Sequence, residues 1–188
     1  MAVVRLIPRK ENTDVKATLF PIVFAFAAVA NAQPAANPTI SETKQMYTML
    51  KNNLVRMAEK MPAEDYGFKP VPEIRSFGET IAHVADSQTR TCAQVLGEQK
   101  TADAASKKTK DELVAAFKAS FEVCDAAWES LTPANAAEIP QGGRRSRLGT
   151  LVYNLGHEDE EYGYLAVYLR LKNIVPPSSD RSAPMGKK

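Results

Sequence analysis

The sequence predicts an all-α protein, a four-helix bundle with a long crossover between its second and third helices. Three observations carry that expectation. Apolar residues recur at helical spacing in four segments, two of those segments open on a capping-box pattern, and no period-2 alternation appears beyond residue 32. The 188 residues are 44% apolar and 24% charged, an ordinary globular mixture that excludes collagen-like and wholly disordered chains.

The first helix is expected from Ser41 as N-cap to Met61, a stretch without Pro or Gly that Pro62 ends. Ile40, Met46, Leu50, Leu54 and Met57 form its apolar stripe. Residues 62–75 hold Pro62, Pro70, Pro72 and Gly67 and read as a loop pinned by Tyr66 and Phe68. Ser76 with Glu79 opens the second helix as a capping box. Phe77, Ile81, Val84, Cys92 and Val95 share one face, and Gly97 is its expected stop. Residues 98–108 are small and polar, long enough to cross the end of a bundle. Thr109 with Glu112 repeats the capping box, and Leu113, Phe117, Phe121, Cys124, Trp128 and Leu131 form the third stripe. A second long loop spans 132–146. The fourth helix, expected from Leu148 to Asn173 and to be the most apolar, ends before Val175-Pro176-Pro177. The domain organisation is therefore a bundle over residues 39–174, with a flexible polar tail at 175–188.

Ahead of the bundle, Arg5, Arg9, Lys10 and Lys16 precede an apolar stretch at 17–30, and Ala30-Asn31-Ala32 supplies small residues around a cleavage point. This is the pattern of a secretory signal peptide over residues 1–32, followed by a linker at 33–38. An uncleaved anchor or a buried strand is the competing reading. The mature protein is expected to be exported, periplasmic or extracellular, with no stable membrane insertion once the signal is removed. Export permits disulfides, so Cys92 and Cys124 are expected to pair, the alternative being two inert buried thiols.

The net charge of +2 is too small for a nucleic-acid footprint, and Arg144-Arg145-Ser146-Arg147 reads as a solvated loop. Two cysteines exclude a Cys-rich zinc site, so acid–base or metal chemistry must draw on carboxylates and the two histidines, His83 and His157. Glu161 lies four residues after His157, on the same helical face. Those two with His83 from a facing helix make two imidazoles and a carboxylate. Such a set suits zinc, nickel or non-haem iron and leaves a position open for water or substrate. Glu160 adjoins the same face as a substitute or support for Glu161. Asp86, three residues after His83, is a candidate acceptor for its imidazole. Tyr153 and Tyr164 flank His157 along the helix. The competing reading makes the 157–161 run a solvated acidic face and His83 a hydrogen-bonded core histidine.

Three segments carry a resemblance: MPAEDYGFKPVPEIRS, RSFGETIAHVAD, and GHEDEEYGYLAVYLRLKNIVPPSS. On these the chain resembles the DinB-like superfamily over residues 40–178. The resemblance implies a four-helix bundle, often a homodimer, with a divalent metal held by one histidine of the second helix and a His-x3-His pair of the fourth. His83 and His157 match the first two ligand positions, while Glu161 stands at the third. Related enzymes imply a metal-activated thiolate that attacks an electrophile. The expected function is thus an exported zinc or nickel protein acting on an unknown small molecule, as a metal-dependent hydrolase or thiol transferase. The alternative is a non-catalytic binding bundle that has lost its metal through Glu161.

Overall fold

A computed structural model describes residues 37–181. The expected signal peptide at 1–32 and most of the linker lie outside the described residues. Four helices account for nearly all regular structure: α1 (Pro38–Lys60), α2 (Phe77–Leu96), α3 (Lys110–Glu129) and α4 (Arg147–Leu171). Single 3-10 turns stand at Ala63–Asp65, Ala104–Ser106 and Pro177–Ser179, and no strand occurs among the described residues. α2 packs most extensively on α3 and also against α4, while α1 covers α4 and α3. No helix among the described residues is long and apolar enough to cross a membrane.

Local chemistry explains the helix ends. Ser76 and Thr109 each accept the N–H of the residue three further on, and Glu79 and Glu112 each reach back to the cap backbone. Gly97 ends α2 at φ 76°, a left-handed conformation that glycine adopts without penalty. α1 departs from expectation. It begins at Pro38 under Asn37, whose side chain accepts from Thr39 N at 3.0 Å. Proline at the first helical position is pre-set for the helix. Ser41 therefore lies inside the first turn, its hydroxyl donating to the Pro38 carbonyl, and residues 37–38 of the expected linker belong to the helix start.

The core is the four apolar stripes brought together. Every stripe residue expected on α2 and α3 is buried. On α1, Met46 is 57% exposed, and its neighbour Tyr47 takes the inward position. Tyr47 stacks on Trp128 with ring centroids 5.5 Å apart and donates to Asp125 at 2.9 Å. An aromatic ring with a satisfied hydroxyl outcompetes a flexible thioether for that place. Cys92 and Cys124, both fully buried, are joined in a disulfide that ties α2 to α3, with Cα atoms 4.9 Å apart.

α4 is not the most apolar of the four helices, contrary to the expectation from its sequence; α3 is more apolar. Thr150, Asn154, Glu158 and Glu161 are buried beside Leu151, Leu155, Leu165 and Leu169, while Val152, Tyr153, Tyr164 and Val167 are exposed. It ends at Leu171, two residues earlier than expected. Asn173 takes a left-handed conformation and Ile174 N returns to the Leu169 carbonyl. The described part of the tail also departs from the flexible reading. Pro176 and Pro177 are buried. Ser178 meets the Tyr162 hydroxyl at 2.6 Å, and Asp180 accepts from Lys60 at 2.7 Å. The two prolines turn the chain back onto α1, so the bundle extends past 174 to at least 180.

Candidate metal centre

The centre forms where α2 and α4 meet. His83 stands two turns into α2, and His157 and Glu161 face it from α4, one turn apart. Nε2 of His83 lies 3.1 Å from Nε2 of His157. Oε1 of Glu161 is 3.5 Å from the first nitrogen and 3.6 Å from the second. These three residues are the one group of three or more potential ligands that converges among the described residues.

A tetrahedral site with bonds of about 2.0–2.2 Å holds neighbouring donors about 3.3–3.6 Å apart. The two carboxylate separations match that spacing, while the two Nε2 atoms stand slightly closer, at hydrogen-bond distance; two imidazoles with one carboxylate are a zinc-type donor set. The arrangement is also graded in exposure: the Glu161 side chain is 7% exposed and that of His83 31%. The carboxylate forms the floor and the histidine edge faces solvent, which leaves one side open to an incoming molecule.

The electrostatics favour ligands in their binding forms at His83. Burial, the Arg75 guanidinium, His157 and Arg90 together lower its pKa, against the opposing pull of Asp86. A neutral imidazole is what a metal needs. Glu161 is pushed the other way: burial raises its pKa, and His157 and Arg75 counter this in part. Arg75 reaches over the centre from the α1–α2 connection, with Nη1 4.0 Å from Glu161 Oε1. His157 Nδ1 is buried without a hydrogen-bond partner among the described residues. A histidine that ligates through one nitrogen normally donates from the other, so this ligand lacks its usual orienting acceptor.

The remaining expected site residues are placed elsewhere. Asp86 does not take a hydrogen bond from His83. Its two carboxylate oxygens accept from Ala104 N and Ala105 N at 2.9 and 3.1 Å, fastening the α2–α3 crossover. Glu160 is exposed and accepts from the Tyr164 hydroxyl at 2.9 Å, one turn outside the centre. Tyr164 does line a cleft of about 640 Å³ with Glu161, Arg75 and Tyr168. Tyr153 is turned away beneath Arg145, whose guanidinium lies 4.0 Å from the ring. Glu73, Ile74 and Arg75 of the loop 62–75 line this cleft, whereas Gln141 and Gly142 of the second long loop line a separate one with Arg90.

Glu158 is the residue that sequence reasoning missed. It is fully buried, takes a hydrogen bond from Asn154 Nδ2 at 2.6 Å, and leaves Oε2 without a partner. Burial pushes its pKa up to about 8, the Asn154 bond opposing. The helical period held the signal: Glu158 is seven residues from both Leu151 and Leu165, on the buried stripe. The sign of its effect on stability is fixed. Unfolded, it ionises near the ordinary value of 4.5; folded, it keeps its proton to about 8. The native state then binds more protons, so this group makes stability fall as pH rises between those values. Glu158→Gln is expected to shrink the loss of melting temperature between pH 5 and pH 8. Parallel pH profiles for the two proteins would refute that reading.

The chain belongs to the DinB superfamily: a family model matches residues 46–165, a span that includes all three converging residues. Among curated proteins none matches the chain. It is thus an all-helical DinB-like protein with a His-His-Glu cluster able to hold a divalent ion.

Proposed function

We propose that this is an exported divalent-metal protein that uses His83, His157 and Glu161 as ligands and acts on a small molecule by metal-dependent hydrolysis. The observation that carries it is the convergence of three donor atoms within 3.6 Å of one another, near tetrahedral spacing, on an open edge of the bundle. Zinc or nickel suits the donors. A cation held there would supply Lewis acidity toward a bound substrate oxygen. The Nε2 atoms of His83 and His157, 3.1 Å apart at hydrogen-bond distance, would each have to be unprotonated to hold the ion. Glu161 contributes the compensating negative charge, and Arg75 places a positive charge where an anionic group would develop. The Cys92–Cys124 disulfide supports an oxidising compartment, as the signal-like segment at 1–32 does. Export favours hydrolysis over thiol transfer, because low-molecular-weight thiols belong to reducing compartments.

A second reading, a binding bundle without metal, is favoured by two observations. The Arg75 guanidinium already offers Glu161 a cation, and His157 Nδ1 has no acceptor to orient the ring. Elemental analysis of the protein purified without a histidine tag, beside Glu161→His, separates the two. Stoichiometric zinc or nickel in the wild type supports the metal protein. A metal-free wild type with tight uptake by Glu161→His means that the carboxylate disarmed the site, and the binding bundle takes its place.

A further inference from the structure

A second cleft, of about 850 Å³, opens beside His83 and runs along α2 toward the crossover. Lys69, Arg75, Arg90, Lys107 and Lys108 line it, against Glu73, Glu79 and Asp86. Two of those carboxylates are already committed. Glu79 accepts from Ser76 N at 2.6 Å and pairs with Lys69 at 3.2 Å. Asp86 keeps its charge but turns both oxygens to the N–H groups of Ala104 and Ala105. Among the described residues no carboxylate lies within ion-pair distance of Arg90, Lys107 or Lys108. Beyond residue 32 the chain carries as many acids as bases, so the excess of five bases over three acids lining this cleft is local. Ala82, Leu113 and Tyr66 add an apolar wall.

Arg90 is two turns after His83 on the same face of α2, about 10 Å along the axis. Helical side chains lean toward the N-terminus, which turns Arg90 back toward Asp86 and His83. Arg75 stands at the other end, over Glu161. We propose that this cleft binds a small organic anion whose carboxylate or phosphate is held by Arg90, with Lys107 and Lys108 at its rim, and whose other end reaches the His83–His157–Glu161 centre past Arg75. Guanidinium groups match both oxyanions with paired hydrogen bonds, and the apolar wall takes the body of the molecule. The proposal rests on the metal reading only for what happens at the far end; the anion site is built from residues outside the metal ligands.

Calorimetric titration of the metal-free protein with benzoate and with phenyl phosphate at 150 mM salt tests it, in wild type and in Arg90→Gln. Arg90 is exposed, so the variant is expected to keep the wild-type melting temperature and zinc uptake. Saturable binding of either probe, weakened about tenfold or more by Arg90→Gln, supports the site, and the tighter probe names the head group. No saturable binding, or binding equal in the two proteins, overturns it. Zinc titration of the same samples keeps the two ideas apart. Anion binding without zinc uptake supports this cleft and overturns the metal centre. Zinc uptake without anion binding does the reverse.

Discussion

Replacing His157 by alanine is expected to abolish zinc uptake and, with it, any stabilisation by the metal. A ligand that binds only the folded state at about 1,000 times its dissociation constant adds about 4 kcal/mol. In a domain of this size that is a rise of about 10 °C in melting temperature. The wild type should show a shift of that order with excess zinc, and His157→Ala none, because only Nε2 of His83 and Oε1 of Glu161 would remain. The imidazole is one-fifth exposed, so its removal leaves no sealed cavity and the variant should fold. Asp86→Ala supplies the contrast. Its carboxylate serves the crossover, not the centre, so the protein should lose some stability yet keep its zinc response. A zinc shift retained in His157→Ala would remove this histidine from the ligand set.

Replacing Cys92 and Cys124 together by alanine is expected to lower the melting temperature by a similar amount. The bond closes a loop with a sequence separation of 32. The loop-entropy relation assigns such a link about 3–4 kcal/mol, again about 10 °C. The site makes the loss hard to recover. Both sulfurs are fully buried between α2 and α3, close to Asn154 Nδ2, 4.0 Å from Cys124 Sγ. Thermal denaturation of oxidised wild type against the double variant measures the effect. Equal melting temperatures would mean that the link adds nothing to the folded state.

What could be read from the sequence was mostly local. The two capping boxes, the Gly97 stop and the stripes of α2 and α3 depend on residues within one or two turns, and spacing alone locates them. His157 and Glu161 were legible as an i, i+4 pair, and His83 was the one other imidazole that could face them. Competition between neighbours was not legible. Tyr47 took the core position from Met46 through contacts distant in sequence, with Trp128 and Asp125, whereas Asn37-Pro38 took the helix start from Ser41 by a local cap bond to Thr39 N. Long-range polar contacts were equally hidden. Nothing near Arg75 announces Glu161, and Asp86 found its backbone partners across a crossover whose path only folding determines. Glu158 was readable by period but was masked by its charged neighbours, since acidic runs usually mark a solvated face.

The connection between α1 and α2 is fastened at both of its ends. The Tyr66 hydroxyl donates to the Ala58 carbonyl at 2.6 Å, Gly78 N to the Tyr66 carbonyl at 2.8 Å, and Phe77 N to the Phe68 carbonyl at 3.1 Å. α4 and the Lys172 that caps it hold the same segment from the far side, through Lys172 on Asp65 at 2.7 Å and the Tyr168 hydroxyl on the Arg75 carbonyl at 2.5 Å. Gly78 allows the close approach, because a Cβ there would meet the Tyr66 carbonyl at 3.1 Å. A segment so bound is a doorframe and not a door. The amides of Phe77 and Gly78 should exchange with deuterium only when the whole bundle opens, which would make the start of α2, and with it His83, a fixed edge against which an incoming molecule docks.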